Sequence, residues 1–490
     1  MQGIEYSAQN KNILLFYNQI IYNKTIDKYL ILGGNQVRKY FGTDGIRRIA
    51  NTELTPELVY KVAKAGAYVL SKHSDHAPTI LIGRDTRLSG TLIESAMTSG
   101  FLSYGANVKL LGVMPTPAVA YLTKKLKADA SVVISASHNT FEFNGVKYFS
   151  NKGMKISDEI EEEIEEVMDS GKINELIAVH NKIGIAEDAT DLMDEYVCLF
   201  RRIFEDNIEE HLRDDFIVGL DVANGATYKV AEEVFKKLGI KYKIINNNPD
   251  GININHDCGS THLEGLKKFV LDNKLSLGIA YDGDGDRCLA IDEKGNLIDG
   301  DILLAIFAKY LQEKGKLNKD TLVATIMSNM GLNKFAEKNN LNLSQTKVGD
   351  RYVLEEMLKN GYNLGGEQSG HIILLDYNPT GDGILTSLML IQILLEKNVL
   401  ASELCDIIQI YPQVLINAKV NSEKKSQYLE DKEIQTKIKE IENEFANEGR
   451  VVIRPSGTEP LIRVMIEGKD KNYIAKKAEE IAKLIEEKLN

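Results

Sequence analysis

The chain of 490 residues lacks several features that mark common protein classes. It contains no stretch of 18 apolar residues, so the sequence predicts no membrane partner. The net charge is −12, from 59 basic and 71 acidic residues, which argues against a nucleic-acid partner. The four cysteines are far apart and form no C-x-x-C pair, which favours free thiols over disulfides or a zinc site. Together these absences predict a cytoplasmic protein.

Residues 1–36 also lack a basic n-region and a small-residue cleavage site, so a secretory signal is not expected. Asn, Ile, Lys and Tyr supply 18 of these positions. We interpret the segment as a non-native extension, because Val37 can be encoded by the start codon GTG and Gly33-Gly34 by bases resembling a ribosome-binding site. The alternative is a disordered or partner-binding tail.

The rest of the chain shows a repeating α/β pattern. Strand candidates at residues 79–82, 216–220 and 322–326 are each followed by a loop and a helical pattern, which predicts mostly parallel sheets covered by helices. From about residue 413 the pattern becomes strand, helix, two strands and a long amphipathic helix. We therefore expect a smaller α+β domain at the C-terminus.

Three aspartates at alternate positions, Asp282, Asp284 and Asp286, are separated only by glycines and follow an apolar run at residues 277–280. Carboxylates crowded in this way repel one another unless a hard divalent cation such as Mg²⁺ accepts oxygen ligands from them. The spacing therefore predicts a metal loop and chemistry on phosphate.

An EF-hand calcium loop is the alternative, since Glu293 stands where its twelfth-position ligand would be. Two observations disfavour it. Arg287 occupies the sixth position, which needs glycine, and the flanking residues 276–281 and 288–292 are β-like where an EF-hand has helices.

Residues 135–139 (Ser-Ala-Ser-His-Asn) offer a candidate nucleophilic hydroxyl, because they follow the buried-strand pattern at residues 131–134 and open α/β sheets bind ligands at the carboxyl ends of their strands. Two further segments favour anion or sugar binding. Residues 454–460 offer a guanidinium, two hydroxyls and glycine-supported N–H groups, and residues 365–371 offer hydrogen-bonding side chains between apolar runs. Each of these segments taken alone also fits an ordinary turn.

Together the four segments resemble the α-D-phosphohexomutase superfamily over residues 37–490, as do residues 38–47, 221–228 and 347–352. The resemblance implies three similar α/β domains with mixed, mostly parallel sheets plus a C-terminal α+β domain, arranged around a central cleft. The implied domains are residues 37–190 with the serine loop, 191–296 with the metal loop, 297–405 with the sugar loop and 406–490 with the phosphate loop.

The resemblance also implies residue roles. Ser137 would carry the phosphoryl group, and Asp282, Asp284 and Asp286 would bind one Mg²⁺ per subunit together with a phosphoserine oxygen. The remaining implied site residues are Glu367 and Ser369 for the sugar, Arg454, Ser456, Gly457, Thr458 and Arg463 for the phosphate, Lys147 and His371 for proton transfer, and Arg47 near the phosphoserine.

The implied reaction interconverts hexose 6- and 1-phosphates through phosphoserine and a 1,6-bisphosphate. Gln368 in the sugar loop is similar to the amino-sugar subgroup, which supplies precursors of the bacterial cell wall; the alternatives are glucose or mannose phosphates and a non-catalytic sugar-phosphate sensor. Activation would come from glucosamine 1,6-bisphosphate or from phosphorylation of Ser137, by a kinase or by the enzyme itself. The resemblance also suggests a homodimer.

Three further expectations concern single positions, and a fourth concerns one helix. A lysine base at Lys147 would need its pKa lowered by burial or neighbouring positive charge. Thr140 stands where the superfamily usually has proline, which would loosen the serine loop, and Arg48 stands where it usually has glycine, which would cause strain if φ were positive. Residues 157–169 predict an amphipathic helix with a solvated acidic face.

Overall fold

The computed structural model describes residues 39–42, 44–72, 74–445, 448–456 and 460–490. The chain divides into two compact units, Met1–Gly42 and Thr43–Asn490. In the first unit, residues 39 and 40 form a bend, and the interpretation of residues 1–36 lies outside the described residues. All elements below belong to the second unit.

The first sheet has six strands in the order β1-β5-β4-β2-β3-β6. Strands β2, β3, β4 and β6 pair in parallel, and β5 and β1 continue the sheet in antiparallel pairing. The strands are β1 Ile46–Ile49, β2 Thr79–Arg84, β3 Asn107–Val113, β4 Ala130–Ile134, β5 Phe143–Ser150 and β6 Ala186–Asp188. The helices are α1 Pro56–Ser71, α2 Gly90–Tyr104, α3 Thr116–Leu126 and α4 Asp158–Asp169.

The second sheet has the order β11-β10-β9-β7-β8, with parallel pairing of β7 to β8 and β9 and antiparallel pairing towards β11. Its strands are β7 Ile217–Asp221, β8 Lys241–Ile245, β9 Leu277–Tyr281, β10 Cys288–Asp292 and β11 Leu297–Ile298. Its helices are α5 Met193–His211, α6 Val230–Lys237 and α7 Glu264–Asn273. Because strands and not helices flank the aspartate run, the EF-hand alternative is wrong.

The third sheet has the order β13-β12-β14-β15, again with parallel pairs followed by one antiparallel pair. Its strands are β12 Thr321–Thr325, β13 Asn342–Thr346, β14 Leu364–Gly366 and β15 Ile372–Leu374. Its helices are α8 Gly300–Glu313, α9 Met330–Lys338, α10 Asp350–Asn360, α11 Gly383–Lys397 and α12 Ala401–Cys405. Short 3₁₀ turns join elements at Gly171–Asn174, His180–Lys182, Thr190–Leu192, Gly259–Thr261, Asn318–Asp320 and Ser422–Leu429.

The C-terminal sheet is wholly antiparallel, in the order β16-β18-β17. Its strands are β16 Gln413–Lys419, β17 Gly449–Pro455 and β18 Leu461–Gly468, and its helices are α13 Lys432–Phe445 and α14 Lys471–Leu489. The predicted fold class is confirmed: three helix-covered sheets with parallel centres precede an antiparallel α+β part.

The apolar core follows this division. One continuous cluster joins side chains of the first three sheets, from Leu81 to Ile408, whereas the C-terminal sheet and its helices enclose a separate core. Strands such as β4 and β9 are buried along their whole length, since helices cover both faces of a parallel sheet. No helix in the described parts of the chain combines the length and apolarity that crossing a membrane requires.

Helix α4 corrects one expectation. Its acidic face is only partly solvated, because Glu161 is 2% exposed and faces Arg351 of helix α10, with Nη2 3.3 Å from Oε1. Asp158 contacts the same guanidinium. Two acidic residues of this helix therefore link the first sheet to the third.

Candidate active site

Ser137 lies just beyond the carboxyl end of β4, as the sequence predicts, and is 2% exposed. Its φ is +51°, a left-handed conformation that costs free energy for a residue with a side chain. Its N–H donates to Ser135 Oγ at 2.9 Å, and its Oγ donates to Asp282 Oδ2 at 2.7 Å. The hydroxyl is therefore fixed against the metal loop.

Arg87 holds the serine loop in this conformation. Its guanidinium is fully buried, pairs with Asp85 at 2.8 Å and donates to four backbone carbonyls of the loop. Those carbonyls belong to Ser137 (2.9 Å), Asn139 (2.8 Å), Phe143 (3.0 Å) and Thr140. Asn255 Nδ2 donates to the carbonyls of Ser137 and Asn139, both at 2.8 Å.

The aspartates of the metal loop form the single group of three or more His, Cys, Asp or Glu side chains among the described residues that could hold a metal ion. One oxygen from each lies within 4.8 Å of the others, and all three side chains are buried. Oδ1 of Asp284 and Oδ1 of Asp286 have no hydrogen-bond partner among the described residues. Hard oxygen donors left unpaired in a buried cluster fit a divalent cation.

A glycine sets the approach of the metal loop to the serine loop. A Cβ at Gly283 would lie 2.6 Å from the carbonyl oxygen of Ser137 and 2.6 Å from Asn255 Nδ2. The two loops are therefore in backbone contact, which only glycine permits.

The pKa values of two aspartates of the metal loop shift in opposite directions. Burial, reinforced by the carboxylates of Asp286 and Asp284, raises the pKa of Asp282. Burial alone would also raise the pKa of Asp286, but the neighbouring cations of His371 and Lys147 outweigh it and lower that pKa. The carboxylates of the loop thus repel one another at Asp282, and a bound cation would relieve that repulsion.

Lys147, on β5, is 2% exposed and lies between two carboxylates, 2.9 Å from Asp284 Oδ2 and 3.1 Å from Asp44 Oδ2. Burial by itself would lower its pKa, but these two carboxylates outweigh burial and raise it. The lowered pKa that a lysine base would need is therefore not found; the side chain is held as an ammonium.

His371 is the last residue of the sugar loop, residues 365–371, and is 3% exposed. Its Nδ1 lies 3.5 Å from Asp286 Oδ2, and its Nε2 lies 3.6 Å from Asp350 Oδ2 and accepts from the N–H of Gly381 at 3.1 Å. Burial would lower its pKa, but Asp286 and Asp350 raise it. The ring thus joins the sugar loop to the metal loop.

The sugar loop comprises the last two residues of β14 and the turn that leads to β15. Glu367 and Ser369 are half-buried; Glu367 Oε1 accepts from the N–H of Gly349 at 3.1 Å, and Ser369 Oγ has no hydrogen-bond partner in the described parts of the chain. Gln368 Nε2 donates to Asp299 Oδ2 at 3.3 Å. Glu367 and Ser369 thus offer an acceptor and a hydroxyl for a polyol.

The phosphate loop joins β17 and β18, where Arg454 and Arg463 stand directly opposite each other. Burial and the nearby Arg463 lower the pKa of Arg454, whereas the Glu367 carboxylate of the sugar loop opposes this. Two adjacent guanidinium groups favour an anion between them. Ser456 is buried and its carbonyl accepts from Lys425 at 2.9 Å; Gly457 and Thr458 lie outside the described residues.

Arg47, on β1, donates to Asn139 Oδ1 at 3.2 Å and to Asp44 Oδ2 at 2.9 Å, which places it beside the serine loop. His138 lies next to the nucleophile, with Nδ1 3.3 Å from Ser137 Oγ. Burial, together with the positive charges of Arg287 and Arg47, lowers the pKa of His138 to about 4. This imidazole is therefore neutral near pH 7.

The two departures from the superfamily pattern are accommodated. Arg48 lies within β1, where it pairs with Asn144, and no positive φ occurs there, so the expected strain does not arise. The carbonyl of Thr140 is held by Arg87, which restrains the loop at the position where the ring of proline is missing.

Sequence reasoning assigned no role to several residues that build this site: Asp44, Asp85, Arg87, Thr116, Lys155, Asn255 and Asp350. A signal existed for Asp85 and Arg87, since they follow the carboxyl end of β2 as Ser137 follows β4. Thr116 comes from the start of α3 and donates to Asp284 Oδ2 at 2.8 Å. No local signal marks Lys155 or Asn255.

Comparison with protein families gives four matches in chain order. Phosphoglucomutase/phosphomannomutase alpha/beta/alpha domains I, II and III match residues 38–175, 194–295 and 299–411, and the C-terminal domain of that family matches residues 415–484. The phosphoglucosamine mutase of Clostridium acetobutylicum is 53% identical over 454 residues, which cover 92% of this chain and 100% of that protein.

Two solved structures share the fold. A phosphoglucomutase/phosphomannomutase family protein of Burkholderia thailandensis has a TM-score of 0.76 at 20% identity, over 92% of this chain and 97% of that one. Aspergillus fumigatus N-acetylphosphoglucosamine mutase, solved in complex with GlcNAc-6P and magnesium, has a TM-score of 0.65 at 17% identity, over 96% and 99% of the two chains.

Proposed function

The chain belongs to the phosphoglucomutase/phosphomannomutase family, and we therefore propose that it is a phosphoglucosamine mutase, interconverting glucosamine 6-phosphate and glucosamine 1-phosphate. One observation carries the chemistry: the Ser137 hydroxyl lies 2.7 Å from a carboxylate of a buried aspartate triad. The substrate assignment rests on the phosphoglucosamine mutase of Clostridium acetobutylicum, which is 53% identical to this chain. The product would enter amino-sugar nucleotide synthesis for the cell wall.

In the proposed cycle, phospho-Ser137 transfers its phosphoryl group to the 1-hydroxyl of glucosamine 6-phosphate. The serine P–O bond breaks as the new P–O bond forms, which gives glucosamine 1,6-bisphosphate. After the bisphosphate turns end for end, Ser137 takes back the 6-phosphoryl group. Such transfers depend mainly on alignment and charge neutralisation. Arg454, Ser456, Gly457, Thr458 and Arg463 would hold the phosphate that is not transferred.

Asp282, Asp284 and Asp286 would hold Mg²⁺, which would supply neutralising charge to the phosphoryl oxygens. Lys147 is ion-paired with Asp284 and Asp44, so it would stabilise the transferred phosphoryl group as an ammonium. We assign proton transfer at the sugar hydroxyl to His371, whose ring lies between Asp286 and Asp350. Glu367 and Ser369 would bind the sugar hydroxyls, and Arg47 would orient the serine loop through Asn139.

We further propose a cytoplasmic homodimer in which Ser137 is first phosphorylated by a kinase, by the enzyme itself or by the bisphosphate. The superfamily resemblance supports the homodimer and the phosphorylated serine, and the widely separated cysteines support the cytoplasmic location.

The test compares glucosamine, glucose and mannose 6-phosphates with Mg²⁺ and a trace of sugar bisphosphate. We expect glucosamine 6-phosphate to be the best substrate; a preference for glucose or mannose would retain the family and overturn the substrate. Ser137→Ala should abolish turnover and phosphate incorporation but retain sugar-phosphate binding, whereas Ser95→Ala, at an exposed position on α2, should behave as wild type. Turnover by Ser137→Ala would overturn the mechanism.

A further inference from the structure

Lys155 is a charged residue to which neither the sequence motifs nor the proposed cycle gives a role. It lies in the loop after β5, and its side chain is 13% exposed. Its Nζ lies 2.5 Å from Asp44 Oδ1 and 2.5 Å from Asp350 Oδ2. One ammonium therefore bridges two carboxylates that are 306 positions apart in the sequence (350 − 44).

Each of these carboxylates also contacts a side chain of the candidate active site. Asp44 Oδ2 lies 3.1 Å from Lys147 Nζ, and Asp350 Oδ2 lies 3.6 Å from His371 Nε2. Lys147 and His371 in turn contact the metal loop, at Asp284 and Asp286. The result is a chain of alternating charges that begins and ends on the metal loop, in the order Asp284, Lys147, Asp44, Lys155, Asp350, His371 and Asp286.

The bridge also connects separate parts of the fold. Lys155 and Lys147 belong to the first sheet and its loops, whereas Asp350 begins helix α10 beside the third sheet, which carries His371. The neighbouring Arg351 makes a second connection, because its Nη2 donates to the carbonyl of Ile156 at 3.0 Å. Adjacent residues on each side thus fix helix α10 against the loop that holds Lys155.

We propose that Lys155 is a positioning residue, which sets the separation of Lys147 and His371 by bridging Asp44 and Asp350. The inference rests on the proposed function for the roles of Lys147 and His371. Without the ammonium, two partly buried carboxylates would face each other and separate, and their partners would move with them. Reacting groups misplaced by about 1 Å can lose about 100-fold in rate.

The test measures kcat and KM for Lys155→Met, Lys155→Arg and the control Lys152→Met, whose side chain is exposed on the same loop. Each kcat is divided by the amount of Ser137 that accepts phosphate, so a partly unfolded preparation does not imitate the effect. Whichever of the three hexose 6-phosphates the wild type uses best serves as substrate, so an error in the substrate assignment shows separately.

We expect Lys155→Met to lower kcat by about 100-fold with KM nearly unchanged. Arginine can donate to two carboxylates from its planar fork, so Lys155→Arg should recover most of the loss. Lys152→Met should match wild type. A Lys155→Met enzyme with kcat within threefold of wild type would overturn the proposal, as would a loss confined to KM.

A second variant tests the same proposal if Lys155→Met does not fold. Asp350→Ala breaks the same bridge from the other side and should lower kcat in the same way. In a double variant with Lys155→Met, the two losses should not multiply, because both changes remove one bridge. Independent, multiplying losses, or a fully active Asp350→Ala enzyme, would exclude the bridge as the positioning device.

Discussion

Arg87→Met is the most demanding test of how the serine loop is held. The guanidinium is fully buried and pairs with Asp85, and removal of one partner of a buried pair costs about 3–5 kcal/mol. Of the four carbonyls that Arg87 binds, those of Ser137 and Asn139 keep the amide of Asn255 as a donor. Of the other two, the carbonyl of Thr140 keeps the N–H of Phe143 as a donor at 3.2 Å, whereas the carbonyl of Phe143 loses the bond from Arg87.

An unsatisfied buried carbonyl costs about 1–3 kcal/mol, so the carbonyl of Phe143 increases the penalty. The expected total is at least about 4 kcal/mol when both contributions are counted. At about 2–4 °C per kcal/mol for a domain of 150–250 residues, the first thermal transition should fall by about 8 °C or more. Turnover should fall as well, because the left-handed conformation of Ser137 loses its support.

The assay is calorimetry in parallel with turnover. Arg201→Met is the matched control, since Arg201 makes an exposed pair with Glu205 on one helix and its loss should change little. Adding Asp85→Asn to Arg87→Met removes the unpaired carboxylate and should restore part of the stability. A fully active Arg87→Met enzyme whose transition stays within a few degrees of wild type would refute the reasoning.

Three other changes test other parts of the site. Mg²⁺ at about 100 times its Kd should stabilise the wild type by about 2.7 kcal/mol, seen as a higher thermal midpoint, and Asp284→Asn should lose most of this shift; an equal shift in both proteins would place the ion elsewhere. Burial and the nearby Asp299 raise the pKa of Asp301 from 3.8 to about 8, so the folded protein favours the protonated carboxyl. The stability that this protonation gives the folded protein is fully present below pH 3.8 and should be lost as the pH rises to about 8. Asp301→Asn should flatten that fall in the thermal midpoint, and parallel pH curves for the two proteins would contradict the assignment. Arg454→Met should raise KM for the sugar phosphate by about 10- to 100-fold through loss of a charge-assisted hydrogen bond. An unchanged KM would show that Arg454 does not bind the phosphate.

Local sequence determined much of this protein. The alternating aspartates, the serine after a buried strand and the repeated α/β pattern each depend on neighbours within a few residues, so the fold class and the candidate loops could be predicted. The strands flanking the aspartate run follow from the same local pattern, and they exclude helices at that point.

The tertiary structure decided the rest, because distance and burial between remote residues leave no local trace. The raised pKa of Lys147 depends on Asp44 and Asp284, and each of these aspartates lies more than a hundred positions from Lys147 in the sequence. The burial of Glu161 against Arg351 could not be distinguished from a solvated helix face by periodicity alone.

The same holds for the supports of the site. Asn255 and Lys155 carry no motif of their own, and their roles arise only when folding brings their donors to carbonyls and carboxylates of other loops. The sequence determined which groups can do chemistry, since that depends on residue type and local spacing. The folded chain decided which of them are held together and in which charge state, since Coulomb and hydrogen-bond energies depend on distances that only packing fixes.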